Sequence, residues 1–170
     1  MNKRNKKLTE LEGAIISELF RSGSCTAYQL RHEFLKSPSA EWSGSAGAIY
    51  PALRRLRAAG LVYAKATGDR RGTERYSLAA AGSRALTAWL NDTSRAIGPG
   101  TDPFRSRAGL WPTLPRRERR KLIDALSGAI KLRCATMKRE IRDTDEVGRQ
   151  QAGLELELQK LRLKWLRQVR

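Results

Sequence analysis

The chain has 170 residues, 34 of them Lys or Arg against 17 Asp or Glu, giving a formal net charge of +17 and a pI of about 10.9. That length fits one domain or two small ones and excludes a large multidomain enzyme, and with 40% hydrophobic and 30% charged residues a core is available and wholesale disorder is excluded. The excess charge favours a polyanionic partner, but it is evenly divided, 16 basic and 8 acidic residues up to Ala96 and 18 and 9 after it, so charge alone does not say which half meets the anion.

Residues 1–7 form a basic tail in which Lys3, Arg4, Lys6 and Lys7 are either solvated or make salt-sensitive phosphate contacts. Leu8, Leu11, Ile15 and Leu19 then recur at helical spacing, and Thr9 and Glu12 have the spacing of a capping box, so a first helix runs from about Thr9 to Arg21. Ser22-Gly23-Ser24 ends it. Thr26 and Gln29 offer a second box before Leu30, Phe34 and Leu35, giving a helix over about Thr26 to Lys36, closed by Ser37-Pro38-Ser39.

Ser45 can cap a third helix with Ile49, Leu53 and Leu56 on its apolar side. Pro51 predicts an irregular or kinked first turn, because it lacks a donor and disfavours helical backbone at Tyr50. Gly60 is placed to stop this helix, with Leu61 folding back. Strands follow over Leu61–Ala66 and Glu74–Leu78, joined by a flexible turn carrying Arg70 and Arg71. Ala80–Ala96, with Leu86, Trp89 and Leu90, reads as one further helix. Three helices and a hairpin make a winged helix-turn-helix over residues 8–97, so the fold class is mainly α with a small β-hairpin wing.

The stretch from Ser45 to Leu61, SAGAIYPALRRLRAAGL, resembles the recognition-helix signature of the PadR family of bacterial transcriptional regulators, S-x-G-x-I-Y-P-x-L-x-x-L-x-x-x-G-L. The family's wing pattern R-x-Y-x-L-x-x-x-G is resembled by Arg75-Tyr76-Ser77-Leu78-Ala79-Ala80-Ala81-Gly82, with Arg75 directly before the Tyr, and its G-Y-x-L in helix two by Ala27-Tyr28-Gln29-Leu30. Ala27, Ala46 and Ala79 replace the family's Gly, Pro and Thr, the last removing a cap worth about 1 kcal/mol.

Small residues at the helix tip, Ser45, Gly47 and Ala48, allow close approach to DNA; Tyr50 is either a core aromatic or, as the resemblance implies, a DNA contact; and Arg54, four positions on, leaves the helix near the same side and is suited to phosphate or guanine. Arg55 is either a DNA contact or a surface charge. Arg70 and Arg71 suit the adjacent backbone or minor groove, Arg75 serves either DNA or structure, and Tyr28 is either a backbone contact or a helix-packing residue.

Gly98-Pro99-Gly100 breaks the chain, and Asp102-Pro103-Phe104-Arg105 starts a unit, residues 98–170, that resembles the C-terminal domain of longer PadR-family members. Pro115 can open a helix carrying Leu122, Leu126, Ile130, Met137 and Ile141. A last helix from about Asp145 has Leu154, Leu158, Leu161, Trp165 and Val169 on one face and Leu156 and Leu163 nearly opposite, a pattern that suits a helix between two surfaces, one its own chain and the other a second copy. A helical dimerisation domain, antiparallel and coiled-coil-like, is expected.

Cys25 and Cys134 form no metal-binding spacing and read as reduced in a cytoplasmic protein. His32 is the lone histidine, no phosphate loop or carboxylate metal motif occurs, and no run approaches a membrane span. We therefore expect no enzyme activity, cofactor or metal, but a homodimer that binds a pseudo-palindromic double-stranded operator, as a repressor by family default. Two other readings stay open: a nonspecific architectural DNA-binding protein, and a small-molecule sensor in which Trp42, Trp89, Trp111 and Trp165 line a pocket for an aromatic effector.

Overall fold

In a computed structural model, which describes residues 7–36, 45–70 and 72–169, helix α1 (Glu10–Ser22) opens on the expected capping box. The Glu12 amide donates to Thr9 Oγ1 at 3.1 Å and the Thr9 amide to Glu12 Oε2 at 3.0 Å. The second box, Thr26 with Gln29, opens α2 (Ala27–Leu35). The closing segment Ser37-Pro38-Ser39 lies outside the described residues.

Ser24–Thr26 forms a strand, β1, absent from the sequence reading. Three residues carry no period-two signal, and the strand owes its existence to a neighbour distant in sequence: Cys25 stands opposite Tyr76. With β2 (Val62–Ala66) and β3 (Glu74–Leu78) it makes an antiparallel sheet in the order β1-β3-β2.

Helix α3 (Ala46–Ala58) runs through Pro51 without interruption, where an irregular turn was expected. The amide that proline lacks would have reached the carbonyl of Gly47, and that residue is exposed, so water can take the donor's place. The helix ends as anticipated. Gly60 adopts a φ of +67°, its amide donates to the Arg57 carbonyl at 2.9 Å and the Leu61 amide reaches back to Leu56 at 3.0 Å, the paired bonds of a Schellman motif.

Ala79 gives α4 (Ala80–Leu90) no side-chain cap, as its methyl dictates. Gly82 is required on packing grounds: a Cβ there would lie 2.1 Å from the Leu61 carbonyl oxygen and 2.6 Å from Leu78 Cδ1. The single helix expected over residues 80–96 is in fact two, α4 and α5 (Thr93–Ile97). Asn91 closes the first by donating from both its amide (3.1 Å) and its Nδ2 (2.9 Å) to the Thr87 carbonyl.

Pro99–Ala108, including helix α6 (Pro103–Ala108), groups with the residues up to Asp92, whereas Thr93–Gly98 groups with Gly109–Arg170. The first helix after the chain break thus belongs to the winged-helix unit. Its anchor is Arg107, which is fully buried. The guanidinium donates to Glu10 Oε2 at 2.6 Å and to the carbonyls of Trp89 (3.0 Å) and Pro103 (2.8 Å), and lies 4.1 Å from the centre of the Trp89 ring. Around this anchor Ile15, Ile16, Leu30, Ile49, Leu53, Leu56 and Leu86 fill the core of the unit.

The second unit is helical. α7 (Arg116–Glu140) follows Pro115, and α8 (Glu146–Gln168) begins at Asp145, whose carboxylate accepts from the Gly148 amide at 2.8 Å. Trp111, Leu122, Ile123, Leu126, Ile130 and Met137 are buried with Leu156, Gln159 and Leu166 of α8. Ile141, expected on the inner stripe of α7, lies past its end in a short 3-10 turn and is half-buried. No described helix is long and apolar enough to cross a membrane.

Candidate nucleic-acid interface

Helix α3 buries Ile49, Ala52, Leu53 and Leu56 and exposes the opposite side. At 100° per residue, Gly47, Tyr50 and Arg54 form one outward stripe. Tyr50 is 43% exposed, and Ser45, Gly47, Ala48 and Arg54 are all exposed. Ser45 stands at the N-cap with extended backbone, but its hydroxyl accepts no bond from the helix, so the expected cap is absent. The hydroxyl and the amides of Ala46 and Gly47 are left as donors at this tip, whereas the Ala48 amide donates to the Ser45 carbonyl at 3.1 Å. The nearest atom to a Cβ built on Gly47 is Ser45 Oγ at 3.5 Å, an ordinary contact, so packing within the chain does not demand glycine at this tip.

The cations nearby divide into two groups. Arg55 Nε donates to Glu12 Oε1 at 2.8 Å, and Glu12, buried, also holds the Thr9 amide, so Arg55 ties α3 to the start of α1. Arg57 donates to Glu74 at 2.9 Å, and the Tyr76 hydroxyl donates to the other Glu74 oxygen at 3.0 Å, joining the end of α3 to β3. Burial, reinforced by Glu74, raises the Tyr76 phenol above its ordinary pKa. Arg75 is bonded to the Ser24 hydroxyl and carbonyl and pins β1 to β3. Arg54 and Arg70, by contrast, are exposed and have no ion-pair partner among the described residues.

The described residues of the wing turn are tied by hydrogen bonds. The Thr67 amide donates to the Thr73 carbonyl at 2.9 Å, the Thr73 amide to Asp69 Oδ1 at 2.9 Å, and Gly68 and Gly72 take positive φ. Arg70 lies at its tip, and Arg71 lies outside the described residues.

Residues 16–88 match the transcriptional regulator PadR-like family. The chain carries a PadR-like domain. No curated protein matches the sequence. Among solved structures, Bacillus subtilis PadR in complex with operator DNA is 22% identical, covering 94% of this chain and 96% of that one at a TM-score of 0.44. The same protein in complex with p-coumaric acid gives 22%, 94%, 93% and 0.43, and a PadR-like transcriptional regulator from Bacillus cereus 13%, 96%, 95% and 0.42. The matched family is one of transcriptional regulators.

Tyr28 of the PadR-like domain is 67% exposed and stacks on His32, ring centroids 6.5 Å apart. Both border a cleft of about 600 Å³ between the end of α1, β1 and α2. Its charges are matched internally: Arg21 donates to Glu18 at 2.8 Å and lies 3.5 Å from Glu33. Lys36 chiefly, then Arg21, hold the Glu33 carboxyl below its usual range. Burial, then Glu18, push the Cys25 thiol to about 11, which leaves it protonated and unreactive at neutral pH. Among the described residues no group of three or more His, Cys, Asp or Glu is arranged to hold a metal.

The described tryptophans are divided between the two units. Trp89 is buried against Arg107 in the winged-helix unit, Trp111 and Trp165 contact each other in the second unit with centroids 5.7 Å apart, and Trp42 lies outside the described residues. On α8, Leu154, Leu158, Leu161 and Trp165 are exposed at 77%, 41%, 62% and 36%, whereas Leu156 is buried and Leu163 and Val169 half-buried. Sequence reasoning missed Gln159, which is buried and donates to the Ile97 carbonyl at 3.2 Å, and the ties made by Glu12, Arg57 and Glu74.

Proposed function

We propose that this chain is a sequence-specific regulator that binds a pseudo-palindromic operator as a cytoplasmic homodimer and represses transcription, with residues 8–97 as the DNA-binding domain and 98–170 as the dimerisation domain. The observation that carries the reading is the division of cations at α3. Arg55, Arg57 and Arg75 are engaged by groups of their own chain, while Arg54 projects beside Tyr50 and Gly47 with no ion-pair partner among the described residues. In the major groove Arg54 would read guanine or grip phosphate, Tyr50 would donate its hydroxyl, and Ser45 with the amides of Ala46 and Gly47 would meet a phosphate, Ala48 leaving room for its approach. Arg70 and Arg71 would follow the backbone from the wing, and Tyr28 would add a contact from α2. Arg55 and Arg75 serve mainly to fix the frame, offering DNA only the outer edges of their guanidinium groups.

The second copy is assigned to the bare side of α8. Val147, Leu154, Leu158, Leu161 and Trp165 are exposed, and with Gln151 they follow alternating spacings of four and three residues, the period of a coiled-coil seam. Such a seam would set two recognition helices about 34 Å apart on one face of the duplex. Release by a small aromatic effector completes the proposal, with Trp111 and Trp165 as the ring pair for it to meet.

Competition between a selected palindromic site and random duplex at fixed salt tests the reading. A regulator prefers its site by at least ~10³, and Arg54→Ala or Tyr50→Phe lowers operator affinity while the dimer persists. For Arg54→Ala the loss is about 1–3 kcal/mol if the contact is bidentate to guanine. A ratio near one indicates an architectural DNA-binding protein instead.

A further inference from the structure

We infer that the start of α7 is a second, sequence-independent surface for double-stranded DNA, separate from the recognition helix. Residues 116–121 read Arg-Arg-Glu-Arg-Arg-Lys, five cations and one anion in under two turns. Arg116, Arg117, Arg120 and Lys121 are all exposed, and none has an ion-pair partner among the described residues. Several arginines elsewhere are paired within the chain, as Arg55, Arg57, Arg107, Arg133 and Arg149 are, whereas here four neighbouring cations stand together without one.

The position sharpens the contrast. A helix N-terminus already carries positive potential from its unpaired amides, so cations are disfavoured there and acids preferred. Pro115 precedes the helix and supplies no side-chain cap. The chain thus concentrates like charge where its own backbone repels it, a cost that a bound polyanion removes. Leu122, Ile123, Leu126 and Ile130 mark the buried side of α7. At 100° per residue Arg117 and Lys121 lie roughly opposite, with Arg116 and Arg120 on the flank. Lys131 and Lys138 continue exposed along the helix.

The chemistry selects DNA over a membrane. The outward side carries Gly128, Ala135 and a single exposed large apolar residue, Leu132, too little for the apolar face that an interfacial helix inserts among acyl chains. Flexible cations spread over about two turns suit phosphate oxygens, which repeat along a duplex regardless of sequence. The inference rests on the DNA-binding reading of the PadR-like domain and extends it to residues with no role in base recognition.

The test uses the full-length chain with all four residues changed (R116Q, R117Q, R120Q and K121Q) and a random-sequence duplex, with the selected operator in parallel. Each lost phosphate contact lowers the slope of log affinity against log salt by about 0.9, so the expected fall is about 2–4 per bound protomer, equal on both duplexes. Because removing these cations relieves repulsion at the helix terminus, the variant's melting temperature is unchanged or higher, which separates lost contacts from lost folding. An unchanged slope, or a fall confined to the operator, overturns the inference. Arg54→Ala is the discriminating control: if it weakens operator binding while the quadruple variant keeps the parent slope, the DNA-binding reading stands and the second surface does not. If the parent chain binds neither duplex, both are overturned.

Discussion

Removing Glu10 should cost more than replacing its partner. Arg107 is fully buried, whereas the Glu10 side chain keeps 11% of its exposure and sits in the first turn of α1, where a carboxylate is welcome. Glu10→Ala strands a desolvated guanidinium whose remaining acceptors are two carbonyls, and breaking a buried pair from that side costs about 3–5 kcal/mol. Arg107→Met keeps the volume over Trp89 and leaves Glu10 able to meet water, so its cost is that of the lost charge-assisted bonds, about 1.5–3 kcal/mol. The double variant Glu10→Ala/Arg107→Met should then be more stable than Glu10→Ala alone. Urea unfolding followed by far-UV ellipticity reads all three midpoints, and native-state amide exchange in α1 and α4 assigns the change to this unit. If the second substitution destabilises the Glu10→Ala background further, Arg107 is not the buried, uncompensated charge described here.

Three further outcomes follow from separate parts of the molecule. At pH 8 iodoacetamide should label Cys134, which is half-buried, well before buried Cys25, as peptide mapping will show; equal labelling contradicts the burial of β1. Since the Cys25 thiol keeps its proton to about 11 against 9.0 for the ordinary group, raising pH through that window favours the unfolded chain, where the thiol ionises first. Leu158→Asp with Leu161→Asp should give monomers by sedimentation while leaving helicity intact, and a persistent dimer would place the contact elsewhere than the bare side of α8.

Much of the fold is visible in short-range chemistry. Thr9 with Glu12, Thr26 with Gln29, Gly60 and Asp145 mark helix ends through bonds made within four or five residues, and such signals survive in a linear sequence. What escaped depends on distant partners. β1 exists because Tyr76 lies across from Cys25, and an arginine in a six-residue helix looks like surface charge until Glu10, 97 positions away, is seen to hold it. The same holds at the interface. Helical periodicity aligned Tyr50 with Arg54, but which arginines are engaged within the fold could not be read without Glu12, Glu74 and Ser24 beside them.

Selection of bound duplexes from a random pool by the full-length chain tests the central claim most directly, because it reports specificity, symmetry and spacing together. The account predicts an enriched inverted repeat with half-site centres about one helical turn apart, lost from the pool when Arg54→Ala is used. A pool that shows no enrichment, or an enriched site without two-fold symmetry, would contradict it.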